Sequence, residues 1–349
     1  MASHPHVRRL LLIKPSSLGD IVHVLPTLAA LQTRFPSASV TWAVKRQWAG
    51  LVERVEGVDH VLALDRGLHG WLSQVPQIRA AQFDLVVDLQ GLFRSGVLAW
   101  LSGCPWRVGL ATGREGSPFF YTQRVPVPNL LMHAVDRYLL LAAALGASPT
   151  SPPIFRFRRR ETDLQAVRHL LQREGLSGDH PWLAMNVSAR WPTKRWPAGH
   201  FARAADSLTR AGLGPVVFIG GSSEQADSAL VRSLMETTSV DITGQTEVGL
   251  LPTLLQQAAA LVTNDSGPMH IAAAVGTPVV ALFGPTDPVR TGPYGGNHTV
   301  LTHDVACRPC LSRRCHYCVP MACLSGVAPE QVVRAVRDRV TQHLTPSST

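Results

Sequence analysis

The residues of this 349-residue chain best placed to do chemistry lie in loops that follow short apolar runs. The first such loop is Pro15-Ser16-Ser17-Leu18-Gly19-Asp20. In open α/β folds ligands collect at the carboxyl ends of strands. Gly19 lets a backbone approach closely, and the helix that follows offers unpaired N–H groups. Asp20 is a candidate working carboxylate, with a plain helix cap as the alternative. The loop is not G-x-G-x-x-G, which argues against a simple dinucleotide oxidoreductase. A second loop, Ser188 to Pro197 (SARWPTKRWP), puts Arg190, Lys194 and Arg195 within six residues, beside Trp191 and Trp196. Cations at a strand end suit a diphosphate, and Lys194 would act as a point charge. A third, Thr263-Asn264-Asp265-Ser266-Gly267-Pro268-Met269-His270, ends a strand in small polar residues and opens a helix with proline in its first turn. Ser266, Gly267 and the helix amides suit phosphate oxygens, with His270 one turn further in. Gly220 to Glu224 is another glycine-rich strand end, where Glu224 suits a pair of ribose hydroxyls or simply caps a helix. Gln90, Arg94 and Arg114, with Glu115, His133, Asp136 and Arg137, are candidates for holding an anionic second substrate.

Five of the six cysteines crowd into residues 307–323, as Cys307-x2-Cys310-x4-Cys315-x2-Cys318-x4-Cys323. Two Cys-x2-Cys pairs suit a tetrahedral structural zinc, although the gap between them is short for a zinc ribbon. Reduced thiols or a disulfide are the alternatives.

The elements that must position these loops alternate. Strand-like runs occur at 7–13, 39–44, 61–64 and 85–89, with helical spacing at 21–35, 46–55, 71–81 and 92–101. Residues 148–160 (SPTSPPIFRFRRR) are proline-rich and then basic, as a linker would be, and lead into a helix at 161–174. The alternation then restarts, with strands at 182–187, 215–219, 261–263 and 279–283 and helices at 198–211, 223–236, 248–259 and 267–275. Continuous apolar strands alternating with helices imply parallel sheets covered on both faces. An amphipathic helix is expected at 328–344.

Hydrophobic residues make up 45% of the chain and charged residues 16%, which excludes a disordered or solvating polypeptide. The net charge of +9 favours an anionic partner. A nucleic-acid binder ranks last, because the basic residues are dispersed and Arg far outnumbers Lys. No stretch approaches the about 18 apolar residues that a spanning helix needs, and Lys14 cuts the first apolar run short of a signal-peptide core. A cytoplasmic protein is expected, touching a membrane face at most through its basic charge.

SSLGD at 16–20, DLQGLFRSG at 88–96, RWPTKRWP at 190–197, TNDSGPMHIAAAVGTPVVALFGPTDP at 263–288 and the late cysteines occur together. In these motifs the chain resembles the bacterial ADP-heptose:lipopolysaccharide heptosyltransferases, glycosyltransferase family nine, from about residue 7 to about residue 340. The resemblance implies a GT-B type α/β fold, two Rossmann-like doubly wound domains facing a cleft. Residues 1–155 would bind the acceptor and residues 156–349 the nucleotide sugar, with the C-terminal helix a candidate to pack back on the first domain. It implies an inverting transfer of heptose from ADP-heptose to the lipopolysaccharide inner core (lipid A-Kdo or heptosyl-Kdo), with no metal or other cofactor needed for catalysis, at the cytoplasmic face of the inner membrane. The family's catalytic Asp matches Asp20. Its donor-binding residues match Lys194, Asp265, Ser266, Gly267 and His270, with Glu224 near the ribose-binding position. Where some members carry a Thr pair ahead of the Lys, this chain has Ser188 and Ala189, so Ser188 stands as a donor contact. Ser16, Ser17, Gly19, Gln90, Arg94 and Arg114 are the corresponding acceptor candidates. A transferase using another nucleotide sugar or acceptor, or a nucleotide-sugar epimerase on the same fold, is the alternative.

Overall fold

Apolar runs that stop on a polar residue set the geometry of the chain. Arg9–Ile13 (β1), Ser39–Lys45 (β2), His60–Leu64 (β3), Leu85–Asp88 (β4), Arg107–Leu110 (β5) and Gln123–Val125 (β6) form one parallel sheet. Leu183–Asn186 (β7), Val216–Phe218 (β8), Val240–Asp241 (β9), Ala260–Asn264 (β10), Val279–Phe283 (β11) and His298–Thr302 (β12) form a second. The central strands β4, β7, β10 and β11 are buried along their whole length, as strands covered by helices on both faces must be. The computed structural model describes residues 6–176 and 180–344. Among them no helix is long and apolar enough to cross a membrane.

The strand order in the first sheet is β3-β2-β1-β4-β5-β6. The second reads β12-β11-β10-β7-β8-β9, the same order counted from its own first strand. Leu11 of β1 lies level with Thr41 of β2 and Val86 of β4; Val262 of β10 lies level with Met185 of β7 and Val280 of β11. Each sheet therefore has one switch point, between β1 and β4 and between β7 and β10, where the connections diverge and leave a crevice at the strand ends. The polar residues that end these strands, Asp88, Asn186 and Asn264, stand at those crevices.

The expected α/β alternation is present, with differences at the margins. The helix anticipated over 21–35 is two helices, Leu18–Val22 and Leu25–Arg34, because Pro26 has no N–H to continue the ladder. Strands β5, β6, β9 and β12 have no counterpart in the sequence reading; they are short or only half-buried, so their apolar signal is weak. The chain divides into two compact units between Arg158 and Arg159. The end of the proline-rich segment is tied to the first unit: Phe157 bridges to Val55, the Arg158 amide donates to Arg54 O, and its guanidinium donates to Val58 O. The C-terminal helix Pro329–Leu344 packs on the helix Ala198–Arg210 and on β10 to β12, and Val332, Val336 and Val340 belong to the second unit's core.

Candidate active site

A buried lysine organises the switch point of the first unit. Lys14 directly follows β1 and is 2% exposed. Its Nζ donates to Leu89 O at 3.0 Å and to the Tyr138 hydroxyl at 2.7 Å, and lies 4.0 Å from Asp20 Oδ1. Asp20 is 39% exposed at the side chain. Its Oδ2 accepts from Ser17 N at 3.0 Å and Ser17 Oγ at 2.7 Å. Asp20 thus closes a capping box with Ser17, which engages one carboxylate oxygen. Burial acts to raise the Asp20 pKa, but the Lys14 ammonium, His23 and the Ser17 bonds outweigh it and hold the carboxyl well below the usual range. Burial likewise disfavours the Lys14 ammonium, yet Tyr138, Asp20 and Asp88 raise its pKa on balance.

The residues proposed for an anionic acceptor fall around the same strand ends. Ser16 N donates to Gln90 Oε1 at 3.3 Å, joining the β1 and β4 loops, and Gly19 is buried beneath them. The Arg114 amide donates to Gly91 O at 2.8 Å, which brings its loop beside Gln90. Arg94 is exposed on the helix Phe93–Leu101, its guanidinium 5.6 Å from the Trp71 ring centre. Asp88 accepts from Tyr121 Oη at 2.7 Å and from the Gln90 and Gly91 amides at 2.9 and 3.2 Å. Burial nevertheless pushes its pKa up. His133 caps the helix Ala134–Ala144 and packs edge-on against His23, ring centres 5.3 Å apart.

The second unit builds its switch point around an ion pair. Lys194 Nζ lies 2.6 Å from Asp265 Oδ2, which also accepts from Thr286 Oγ1 at 2.6 Å. Lys194 is 18% exposed and Asp265 is 7% exposed. The ammonium also stands 4.8 Å from the Trp191 ring centre, a cation–π distance, and Arg313 lies 5.2 Å from the same ring. Ser266 Oγ donates to Asn186 Oδ1 at 2.8 Å and meets Thr263 Oγ1 at 2.9 Å. It precedes the eight-residue helix Gly267–Ala274. Pro268 has no N–H, so the first free amides of that helix belong to Gly267 and Met269. His270, one turn in, is 7% exposed.

Other expected donor contacts have partners of their own. Ser188 Oγ donates to Asp227 Oδ2 at 2.7 Å, and Arg195 reaches Asp227 Oδ1 at 3.1 Å. Of the three cations in that loop, Arg195 therefore braces the backbone, Arg190 is exposed, and Lys194 is the one at the crevice. The flanking tryptophans divide in the same way: Trp191 underlies the cations, whereas Trp196 is core, 2% exposed and bonded to Asn264 Oδ1 through its amide. Glu224 Oε2 accepts from Gly221 N at 2.9 Å and from Asn186 Nδ2 at 3.5 Å.

The cysteine cluster does not assemble into a ligand set. Cys307, Cys310, Cys315 and Cys318 are free and exposed; Cys323 is buried in the second core. Among the described residues no three His, Cys, Asp or Glu side chains stand close enough to hold a metal ion. Burial raises the Cys323 pKa, and Cys307, Cys310 and Cys315 add to it, so these thiols lie within one another's field without forming a ligand set among the described residues.

Lys14, Tyr138, Asn186 and Asp227 complete these sites without a motif to mark them, whereas Asp88 and Thr286 lie inside motifs quoted above. The signal for Lys14 is a cation that directly ends a buried apolar strand, a place where an unpaired charge is not tolerated.

Residues 71–319 match the family described as glycosyltransferase family 9 (heptosyltransferase). A lipopolysaccharide heptosyltransferase 1 of Pseudomonas aeruginosa is 28% identical over 332 residues, covering 88% of each chain. A solved family 9 glycosyltransferase from Veillonella parvula superposes with a TM-score of 0.85 at 26% identity, covering 98% of this chain and all of that one. The ADP-heptose lipopolysaccharide heptosyltransferase II of E. coli superposes at 0.81 with 23% identity, covering 97% of this chain and 100% of that one. These matches bear out the GT-B type α/β fold expected above. With its two switch-point sites on that fold, the chain belongs to glycosyltransferase family 9, the heptosyltransferase family, and is a glycosyltransferase.

Proposed function

We propose that the protein transfers heptose from ADP-heptose to an anionic lipopolysaccharide inner-core acceptor, with inversion and without a catalytic metal. The observation that carries this reading is the Lys194–Asp265 pair beside the free amides of Gly267 and Met269. An ammonium and a helix N-terminus gathered at one crevice suit the charge that grows on a departing diphosphate. The relatives support the donor and acceptor classes, being named as lipopolysaccharide or ADP-heptose heptosyltransferases.

The chemistry follows from the residues. A sugar hydroxyl ionises only at very high pH, so it needs a base as it attacks the anomeric carbon. Asp20, ionised and part-exposed, accepts that proton. The new C–O bond forms as the bond to the diphosphate breaks, and ADP leaves with the electron pair. Lys194 and the helix amides of Gly267 and Met269 stabilise the leaving oxygens without a Lewis acid. Ser16, Gln90, Arg94 and Arg114 hold the acceptor's anionic groups, and Glu224 takes the ribose.

The acceptor carries acyl chains, and the first unit has a surface that suits them. Phe93, Trp100 and Phe119 are 49%, 55% and 82% exposed, and Phe120 joins Phe93 and Trp100 at 5.5 and 6.5 Å. Arg94 neighbours Phe93 in sequence, and Arg124 covers the Phe119 ring. Aromatic rings with arginines suit the cytoplasmic face of an anionic membrane.

Purified protein given a panel of nucleotide sugars and a vesicle-borne acceptor tests the reading. ADP-heptose should be turned over with chelator present, giving product of inverted anomeric configuration. A Phe93→Ser, Phe119→Ser double variant should slow transfer to the vesicle-borne acceptor but not to a deacylated one. Preference for another nucleotide sugar, or donor consumption without acceptor, would replace the reading with a different transferase or an epimerase.

A further inference from the structure

Lys14 has no part in the transfer just described, yet it is among the largest fully buried side chains of the molecule. A buried ammonium is retained only where it is paired and hydrogen-bonded. Here the Leu89 carbonyl and the Tyr138 hydroxyl fix it, one from the end of β4 and one from the helix Ala134–Ala144. Trp42 Nε1 donates to the Lys14 carbonyl at 3.3 Å, which fixes its backbone as well. The nearest carboxylate oxygen is Asp20 Oδ1 at 4.0 Å, beyond hydrogen-bond range. Lys14 therefore acts on that oxygen by field and does not occupy it, while Ser17 engages Oδ2.

We propose that Lys14 is a positioning residue for Asp20: its buried ammonium, held by Leu89 and Tyr138, keeps the Asp20 carboxylate ionised when a polyanionic acceptor and a diphosphate donor occupy the protein. The inference rests on the reading of Asp20 as the base. Anionic groups near a carboxylate favour its protonated form, and a protonated Asp20 takes no proton from a hydroxyl. A fixed cation behind the carboxylate opposes that pull in a medium where water screens little. The downward displacement of the Asp20 pKa by Lys14, His23 and Ser17 is the reserve that substrate binding draws on. The other groups around the pair are His23 on the same turn as Asp20, His133 against His23, Asp88 at the end of β4, and Arg137 and Tyr138 on the helix Ala134–Ala144. Asp88 opposes Lys14 when ionised, and burial, which pushes its pKa up, weakens that opposition. The histidines gain charge as pH falls and so act in the same sense as Lys14.

The test is the pH profile of kcat under saturating substrates for Lys14→Met, Lys14→Gln and Lys14→Arg. Removing the charge should move the acidic limb up by at least about one pH unit, a tenfold change in the protonation equilibrium. Turnover on the acid side of the limb then falls about tenfold for a one-unit shift and approaches the parent value at higher pH, with donor KM within about twofold. Lys14→Arg should keep the parent limb. Lys14→Gln, which retains partners for Leu89 and Tyr138, serves if Lys14→Met does not fold. A limb that stays in place in both neutral variants, or a loss of turnover equal at every pH, overturns the inference. Asp20→Asn separates the two readings. If it retains turnover, the base assignment fails; if it is inactive and the Lys14 variants keep the parent limb, only the Lys14 inference fails.

Discussion

The two switch points use one kind of ion pair in opposite senses. In the first unit the cation is buried and the carboxylate reaches solvent, 2% against 39% exposed. In the second the carboxylate is buried and the cation is the more exposed partner, 7% against 18%. The strand orders are identical, so topology does not separate the two jobs. What separates them is which member of the pair the strand end buries. Burying Lys14 at the end of β1 leaves a carboxylate outward, suited to receive a proton. Burying Asp265 after β10 leaves an ammonium outward, suited to receive a phosphate.

The largest effect should come from removing the outward carboxylate. Asp20→Asn keeps the size and the Ser17 contacts but cannot act as a base, and is expected to lower kcat by about 10³. Isothermal titration with ADP should show unchanged affinity. Weakened ADP binding by this variant would erase the division of labour between the units.

Removing the outward ammonium should do the reverse. Lys194→Met is expected to weaken ADP binding about 30-fold, or about 2 kcal/mol, as fits loss of a charged hydrogen bond. It should also lower thermal stability, because the buried Asp265, held by the Thr286 hydroxyl, loses its cationic partner. Asp265→Asn, measured beside it, should restore part of the stability but none of the ADP affinity. Unchanged ADP affinity in Lys194→Met would mean that the helix amides of Gly267 and Met269 hold the phosphates alone.

Much of this was legible in the residues. β7, β10 and β11 declare themselves as apolar runs that end on a polar group or a turn, and the loops after β1, β7 and β10 follow from that. Asp20, Lys194, Asp265 and Gly267 fall where their motifs place them. Partners brought from distant strands were not legible: Tyr138 reaches Lys14 across 124 positions and Asn186 reaches Ser266 across 80, pairings set by sheet order and not by local spacing. Trp196 shows the converse: it follows Lys194 and Arg195 in sequence, yet its indole donates to Val327 O within the core. The cysteines show the limit of spacing itself. The Cys-x2-Cys intervals say nothing of Cys323 lying in the second core while the other four are exposed.

The smallest expected difference is in how acid treats the units. His298 on β12 bonds Tyr294 O through Nε2 at 3.2 Å, its buried Nδ1 has no partner, and Arg339 donates to its carbonyl. Burial, with Arg339 adding to it, pushes its pKa down from 6.5 to about 4. The folded second unit thus binds fewer protons than the unfolded chain between those values, so stability falls as pH drops through 6.5 towards 4. Asp20 behaves differently: its depressed pKa contributes stability above the unfolded value near 3.8 and loses it only as pH falls further. Urea unfolding at pH 7 and pH 5 should therefore show a loss of about 2 kcal/mol that His298→Gln largely abolishes. An equal loss in the variant would assign the acid sensitivity to carboxylates shared by both units. A loss absent from both proteins would mean that the imidazole takes up its proton in the folded state as readily as in water, with the unpartnered Nδ1 reaching solvent.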